Sequence, residues 1–243
     1  MKSEQLSVDS HLVPAAPLTH SSVAEDHGVI LVDAAHPLRA QAEAYIKRIY
    51  RRVFSAQVNH FSAQLLVKLD AQQRIIGTVG LTLAGKQPLF VEQYLSQPVT
   101  QLLATDRNPQ TRAEQKIVEI GNLAMVDRCS VRQVICFLSQ FLLEQKVDWV
   151  VFTARTELLN SFKRLELPLT HLADASRDSI DDNNDTWGSY YAGSPKVVAG
   201  RLQDVLSLQT ATETTQSAAN PAAENSTLLA MITLPGWGKA AWI

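Results

Sequence analysis

The stretch KIVEIGNLAMV (residues 116–126) and, after an intervening segment, DWVVFTA (148–154) decide how this chain is read. The first is β-branched and apolar enough for a strand, but its alternation is broken at Gly121-Asn122. A glycine inside a strand marks a bulge or a ladder that splays. The second is a short continuous apolar run, the pattern of a strand buried on both faces. Between them, Ser130 to Lys146 carries the apolar spacing of an amphipathic helix. Two strands joined through one helix are expected to lie parallel with a right-handed crossover. By simple alternation Glu119 shares a face with Gly121 and Leu123, opposite Val118 and Ile120.

Working outward, Gly28 to Asp33 reads as a strand, His36-Pro37 as a turn, and AEAYIKRIYRRVF (42–54) as a helix with its apolar stripe on Ala42, Tyr45, Ile46, Ile49 and Val53. Ala63 to Leu69 and Arg74 to Leu83 flank the polar turn of residues 70–73, which predicts an antiparallel pair. Residues 90–104 read as helical with a break at Pro98. Beyond Ala154, a helix is predicted over Glu157 to Leu165 and a closing pair of strands around Leu169 to Leu172 and Lys196 to Leu202.

The chain has 243 residues, 46% of them hydrophobic and 19% charged, with a net charge of −2. That composition suits a folded protein, and a near-neutral balance gives no global field for nucleic acid. Residues 1–26 and 207–227 read as disordered segment and linker, leaving a domain over 27–206 and an apolar peptide at 228–243. No signal-peptide core and no uninterrupted spanning stretch is seen, so a cytoplasmic location is expected. On a helix, Cys129 and Cys136 would stand about 10 Å apart along the axis, outside disulfide reach, and read as small buried hydrophobes. Six scattered histidines without paired spacing predict neither a metal site nor a Ser/His triad.

The order of strands and helices is that of GNAT-type acyltransferases. The segments RRVF (51–54), RIIGTVGL (74–81), GKQPLFVEQYL (85–95), IVEIGNLAM (117–125), FTA (152–154), WGSYY (187–191) and KVVAG (196–200) together resemble the thermostable hemolysin family, a bacterial group of GNAT-like fold. The resemblance covers about residues 28–202, and a more distant one is to acyl-homoserine-lactone synthases. It implies an α/β (α+β) domain whose mixed central sheet, flanked by helices, has splayed parallel strands. An acyl thioester, acyl-CoA or the phosphopantetheine of an acyl-carrier protein, would lie in the gap as co-substrate, with an amine as acceptor and no tightly bound cofactor.

On that resemblance Glu119 is the catalytic base. A primary amine is mostly protonated at neutral pH, and a carboxylate shielded in a cleft can take its proton. Main-chain amides near Asn122 and Leu123 would hold the thioester carbonyl, with Met125, Phe152, Thr153 and Asn160 along the donor. Arg128 and Arg132, at the start of the helix after the Glu119 strand, would meet its phosphate. Arg51, Phe54, Trp187, Tyr190 and Tyr191 would form the acceptor pocket beside an acidic loop, DSIDDNND (178–185).

The chain departs from the family pattern in three places. The segment 127–133 has no glycine where a pyrophosphate loop is glycine-rich, and Lys146 and Glu166 stand where glycine usually caps a helix. A non-catalytic binding module is therefore one alternative, and a membrane-active hemolysin another. The 228–243 peptide is open to three readings: docking on its own domain, docking on a partner, or contact with a membrane.

Overall fold

The computed structural model describes residues 18–19, 28–85, 87–104, 116–125, 137–164, 167–180 and 187–204. Its elements run β1 (Val29–Val32), α1 (Arg39–Phe54), β2 (Gln64–Leu69), β3 (Ile75–Leu83), a 3-10 turn (Phe90–Tyr94), the one-turn helix α2 (Val99–Leu102) and β4 (Ile117–Met125). After β4 come helix α3, described over 137–144, β5 (Trp149–Ala154), α4 (Thr156–Arg164), β6 (Leu169–Asp174) and β7 (Lys196–Arg201). The seven strands form one sheet in the order β1-β2-β3-β4-β5-β7-β6. Every neighbouring pair is antiparallel except β4 and β5, which are parallel as their helical connection demands.

Helices cover both faces. On one, Val79, Leu81 and Val118 of the sheet pack with Phe137, Phe141 and Leu142 of α3. On the other, Leu65, Val67 and Ala124 pack under Tyr45, Ile46 and Ile49 of α1, while Ile117, Val151 and Val197 pack under Val91, Tyr94 and Val99. The buried stripe of α1 differs from the expected one: Val53 is 37% exposed, and Tyr50 and Phe54 complete the stripe in its place. With 3.6 residues per turn, position 53, seven on from 46, still falls on the stripe by spacing; it is exposed in the last turn of the helix, where Tyr50 and Phe54 carry the contact instead.

The 90–104 segment is less helical than its apolar spacing suggests, because Leu95 to Pro98 interrupts it. Leu18 lies within the stretch expected to be unstructured, yet it is 3% exposed in the α3-side core, and its carbonyl accepts Gln64 Nε2 at 3.1 Å. Burial of this side chain alone favours its docking by about 2 kcal/mol.

The decisive irregularity is in β4. Thr78 pairs with Ala124 and Gly80 with Gly121, so β4 carries one extra residue opposite β3. Asn122, with φ of 46°, takes up the left-handed conformation that such a bulge requires and that Asn adopts more easily than most residues. Two consequences follow. The alternation reverses, so that Leu123 packs with the cluster of Val118 while Ala124 joins the α1 face, correcting the expected placement of Leu123 with Glu119. In addition, pairing between β4 and β5 runs from Ile117 with Trp149 to Ile120 with Phe152 and stops there. The strands splay beyond that point.

Candidate active site

Glu119 projects from β4 at the edge of the splay. It is 6% exposed, opposite Thr82 of β3 and beside Val151 of β5. Its carboxylate accepts the Phe90 N–H at 2.7 Å and the Val91 N–H at 3.0 Å. These are first-turn amides of the 3-10 helix, which have no partner within their own turn. A second carboxylate completes the segment: Glu92 accepts the Leu89 and Val99 N–H groups, each at 3.0 Å. Loss of water pushes the Glu119 carboxyl up to about 7, against the two amide bonds that favour the ionised form, and the charge of Glu92 adds to the rise. Glu119 thus holds a turn together and sits at a protonation balance suited to accepting a proton near neutral pH.

A cavity of about 120 Å³ opens in front of it. That volume takes several waters or the reacting end of a substrate. Glu119, Gly121, Asn122 and Leu123 line it from β4, Phe152 and Thr153 from β5, and Trp187 and Tyr190 from the aromatic turn. The site is therefore bounded by the unpaired ends of both central strands.

Asn122 does more than turn the strand. Its Oδ1 accepts the Ser62 N–H at 2.8 Å, and its Nδ2 donates to the His60 carbonyl at 3.2 Å. The loop before β2 is thereby tied to the bulge. Gly80 makes the approach possible, since a β-carbon there would overlap Ser62 and stand 2.9 Å from Asn122 Oδ1. On the far side, the WGSYY turn is fastened to the end of α1: Ser189 N–H donates to the Phe54 carbonyl at 2.8 Å. Gly188, with φ of 50°, lies so close that a β-carbon would collide with that carbonyl.

The remaining expected residues are placed as follows. Phe54 is 2% exposed and lies behind Tyr190, their rings edge to face at 5.3 Å. Tyr191 also stands behind the cavity, its hydroxyl 2.6 Å from that of Tyr94. Met125 is 1% exposed in the α3-side core. Arg51 and Asn160 are exposed and not among the lining residues. Arg128, Arg132, both cysteines and most of the acidic 178–185 loop lie outside the described residues, as do the linker and the 228–243 peptide.

Sequence reading missed Tyr50, His60, Phe90, Tyr94 and Leu158, all of which line the cavity. Tyr50 follows the helical stripe and looks like core; Phe90 and Tyr94, four apart, look like one face of a helix. Burial pushes the Tyr50 hydroxyl up to about 12 and holds the His60 imidazole below its usual range. Among the described residues no group of His, Cys, Asp or Glu is large enough to hold a metal ion, and no helix is long and apolar enough to cross a membrane.

A sheet splayed at its parallel pair, bulged in β4 and covered by helices on both faces is the fold of GNAT-like acyltransferases. An N-acyl amino acid synthase from uncultured soil microbes, FeeM, shares it with a TM-score of 0.51 at 15% identity, over 74% of this chain and 98% of that one. The CoA-dependent acyl-homoserine lactone synthase BjaI, solved with SAM and isopentyl-CoA, matches with a TM-score of 0.50 at 14% identity, over 76% and 88%. No functionally curated protein matches the chain by sequence. The profile of the thermostable hemolysin family matches residues 32–206, and the chain belongs to that family.

Proposed function

We propose that this protein is an N-acyltransferase that moves an acyl group from a thioester, carried by coenzyme A or by an acyl-carrier protein, to a small amine. The observation that carries this reading is Glu119: a buried carboxylate, poised near neutrality, facing a cavity between two strands whose ladder ends one residue beyond it. The unpaired edge of β4 after Ile120 offers backbone groups to a pantetheine arm, which is extended and rich in amides. Glu119 takes a proton from the amine, the nitrogen attacks the thioester carbonyl, and the thiol leaves. General-base assistance of this kind contributes typically ~10²–10⁴ in rate. We assign the activity to residues 27–206 and the donor phosphate to the Arg128 and Arg132 segment.

The test is thiol release from acyl-CoA and acyl-carrier-protein donors by the full chain and its Glu119→Gln variant. Turnover that falls at least a hundredfold in the variant, with donor binding retained, is expected. Failure of the native chain to bind any acyl thioester would remove the reading. The strands' open gap argues against the non-catalytic alternative, in which side chains would fill it.

A further inference from the structure

The cavity walls hold more chemistry than proton transfer needs. Five rings form a continuous arc: His60 meets Phe90 at 5.0 Å, Phe90 meets Trp187 at 5.5 Å, Trp187 meets Tyr190 at 5.6 Å, and Tyr94 stands 6.1 Å from Phe90. Glu119 is the one carboxylate among the described lining residues, and none of them is lysine or arginine. The Arg155 guanidinium does not line the cavity: it stands behind Tyr190, whose hydroxyl feels its charge, over the Phe54 ring at 5.5 Å and beside Glu157 at 3.6 Å. Aromatic faces present negative potential and attract cations, the more so away from water. A carboxylate at the end of such an arc adds to that field and repels a second carboxylate.

We infer that the acceptor is a primary amine without a carboxylate, an ammonium on an apolar or aromatic body, in preference to an α-amino acid. This rests on the acyl-transfer reading of the same site. The arc receives the ammonium, and Glu119 takes one proton from it. The freed lone pair forms the C–N bond to the thioester carbonyl, the C–S bond breaks, and the second N–H proton leaves with the thiolate as free thiol. An amino acid would bring a negative group into the cavity with no lysine or arginine among its described lining residues and Arg155 already beside Glu157, and burying an unpaired charge is strongly unfavourable.

The experiment compares pairs that differ only in the carboxylate: 2-phenylethylamine with phenylalanine, and 1,4-diaminobutane with ornithine. Octanoyl-CoA and octanoyl-acyl-carrier protein serve as donors, and free thiol and product mass are read. At least tenfold higher kcat/KM is expected for each amine than for its amino acid. The Trp187→Ala variant should raise KM for 2-phenylethylamine at least fivefold and leave KM for the donor unchanged. Equal or better use of the amino acids overturns the inference. Calorimetric titration of the same compounds without donor separates the two claims. If the amines bind, the amino acids do not and no thiol is released, the cation-binding pocket stands and acyl transfer falls. If neither class binds or turns over, the inference is wrong.

Discussion

The hydroxyls of Tyr94 and Tyr191 lie 2.6 Å apart and join the 3-10 turn over Glu119 to the aromatic turn that closes the site. One donates and the other accepts, and burial together with this bond pushes Tyr94 far above the usual phenol range. Removing either hydroxyl leaves its partner, the buried Tyr94 or the half-buried Tyr191, without this bond. Tyr94→Phe and Tyr191→Phe should each cost about 1–2 kcal/mol, and the double variant less than their sum by about 1 kcal/mol. Urea midpoints of the four proteins check this, and strict additivity would show that the bond contributes nothing.

Glu119 makes stability depend on pH with a definite sign. Its carboxyl is held near 7 in the folded chain against an ordinary value of 4.5. Folding therefore favours the protonated form: the contribution is intact below about 4.5 and is lost as pH rises through about 7, a change of roughly 3 kcal/mol at most. The native chain should lose more stability between pH 5 and about pH 8 than Glu119→Gln, which cannot ionise. If Glu119 is the base, the rate rises over the same window and levels above it. Chemical denaturation of both proteins across that range, beside a pH–rate profile, provides the measurement.

Asn122 combines a left-handed backbone with two side-chain bonds to the loop before β2. Asn122→Ala loses the bonds and keeps the strain; Asn122→Gly loses the bonds and relieves it. The alanine variant should therefore be the less stable by about 1 kcal/mol, with both below the native chain. Reversed order would mean that the bulge closes when the side chain is removed.

Lys146 offers a gain. It ends α3 with φ of 55°, while its N–H donates to the Leu143 carbonyl at 2.9 Å and Val147 N–H to the Leu142 carbonyl at 3.0 Å. This is the paired-bond helix stop in which glycine is favoured. Lys146→Gly should stabilise the fold by about 0.5–1 kcal/mol without altering thiol release. Thermal unfolding reads the first effect and the acyl-transfer assay the second.

The parallel pairing of β4 with β5 and the glycine-marked irregularity were legible because each depends on residues close in sequence. The face of Leu123 was not, because one extra residue at Asn122 reverses every later position in β4. Glu119 was legible as a candidate base from the resemblance, but its amide partners lie 29 and 28 positions away, and no local pattern announces them. The same holds for the aromatic arc. Phe90 and Tyr94 belong by spacing to a helix; in the structure the carboxylates of Glu119 and Glu92 hold the free amides of a 3-10 turn, and both rings line the cavity.

The Asn122 bulge also bears on how this site can change over generations. The backbone of this residue bulges β4 next to the splay and its side chain fastens the loop before β2, so a replacement there disturbs both at once. Trp187 and Tyr190 sit on a separate turn, anchored through Phe54. On the proposed function, variation among relatives in the acceptor is expected to accumulate on that turn, while the bulge residue stays under the joint constraint of strand and loop.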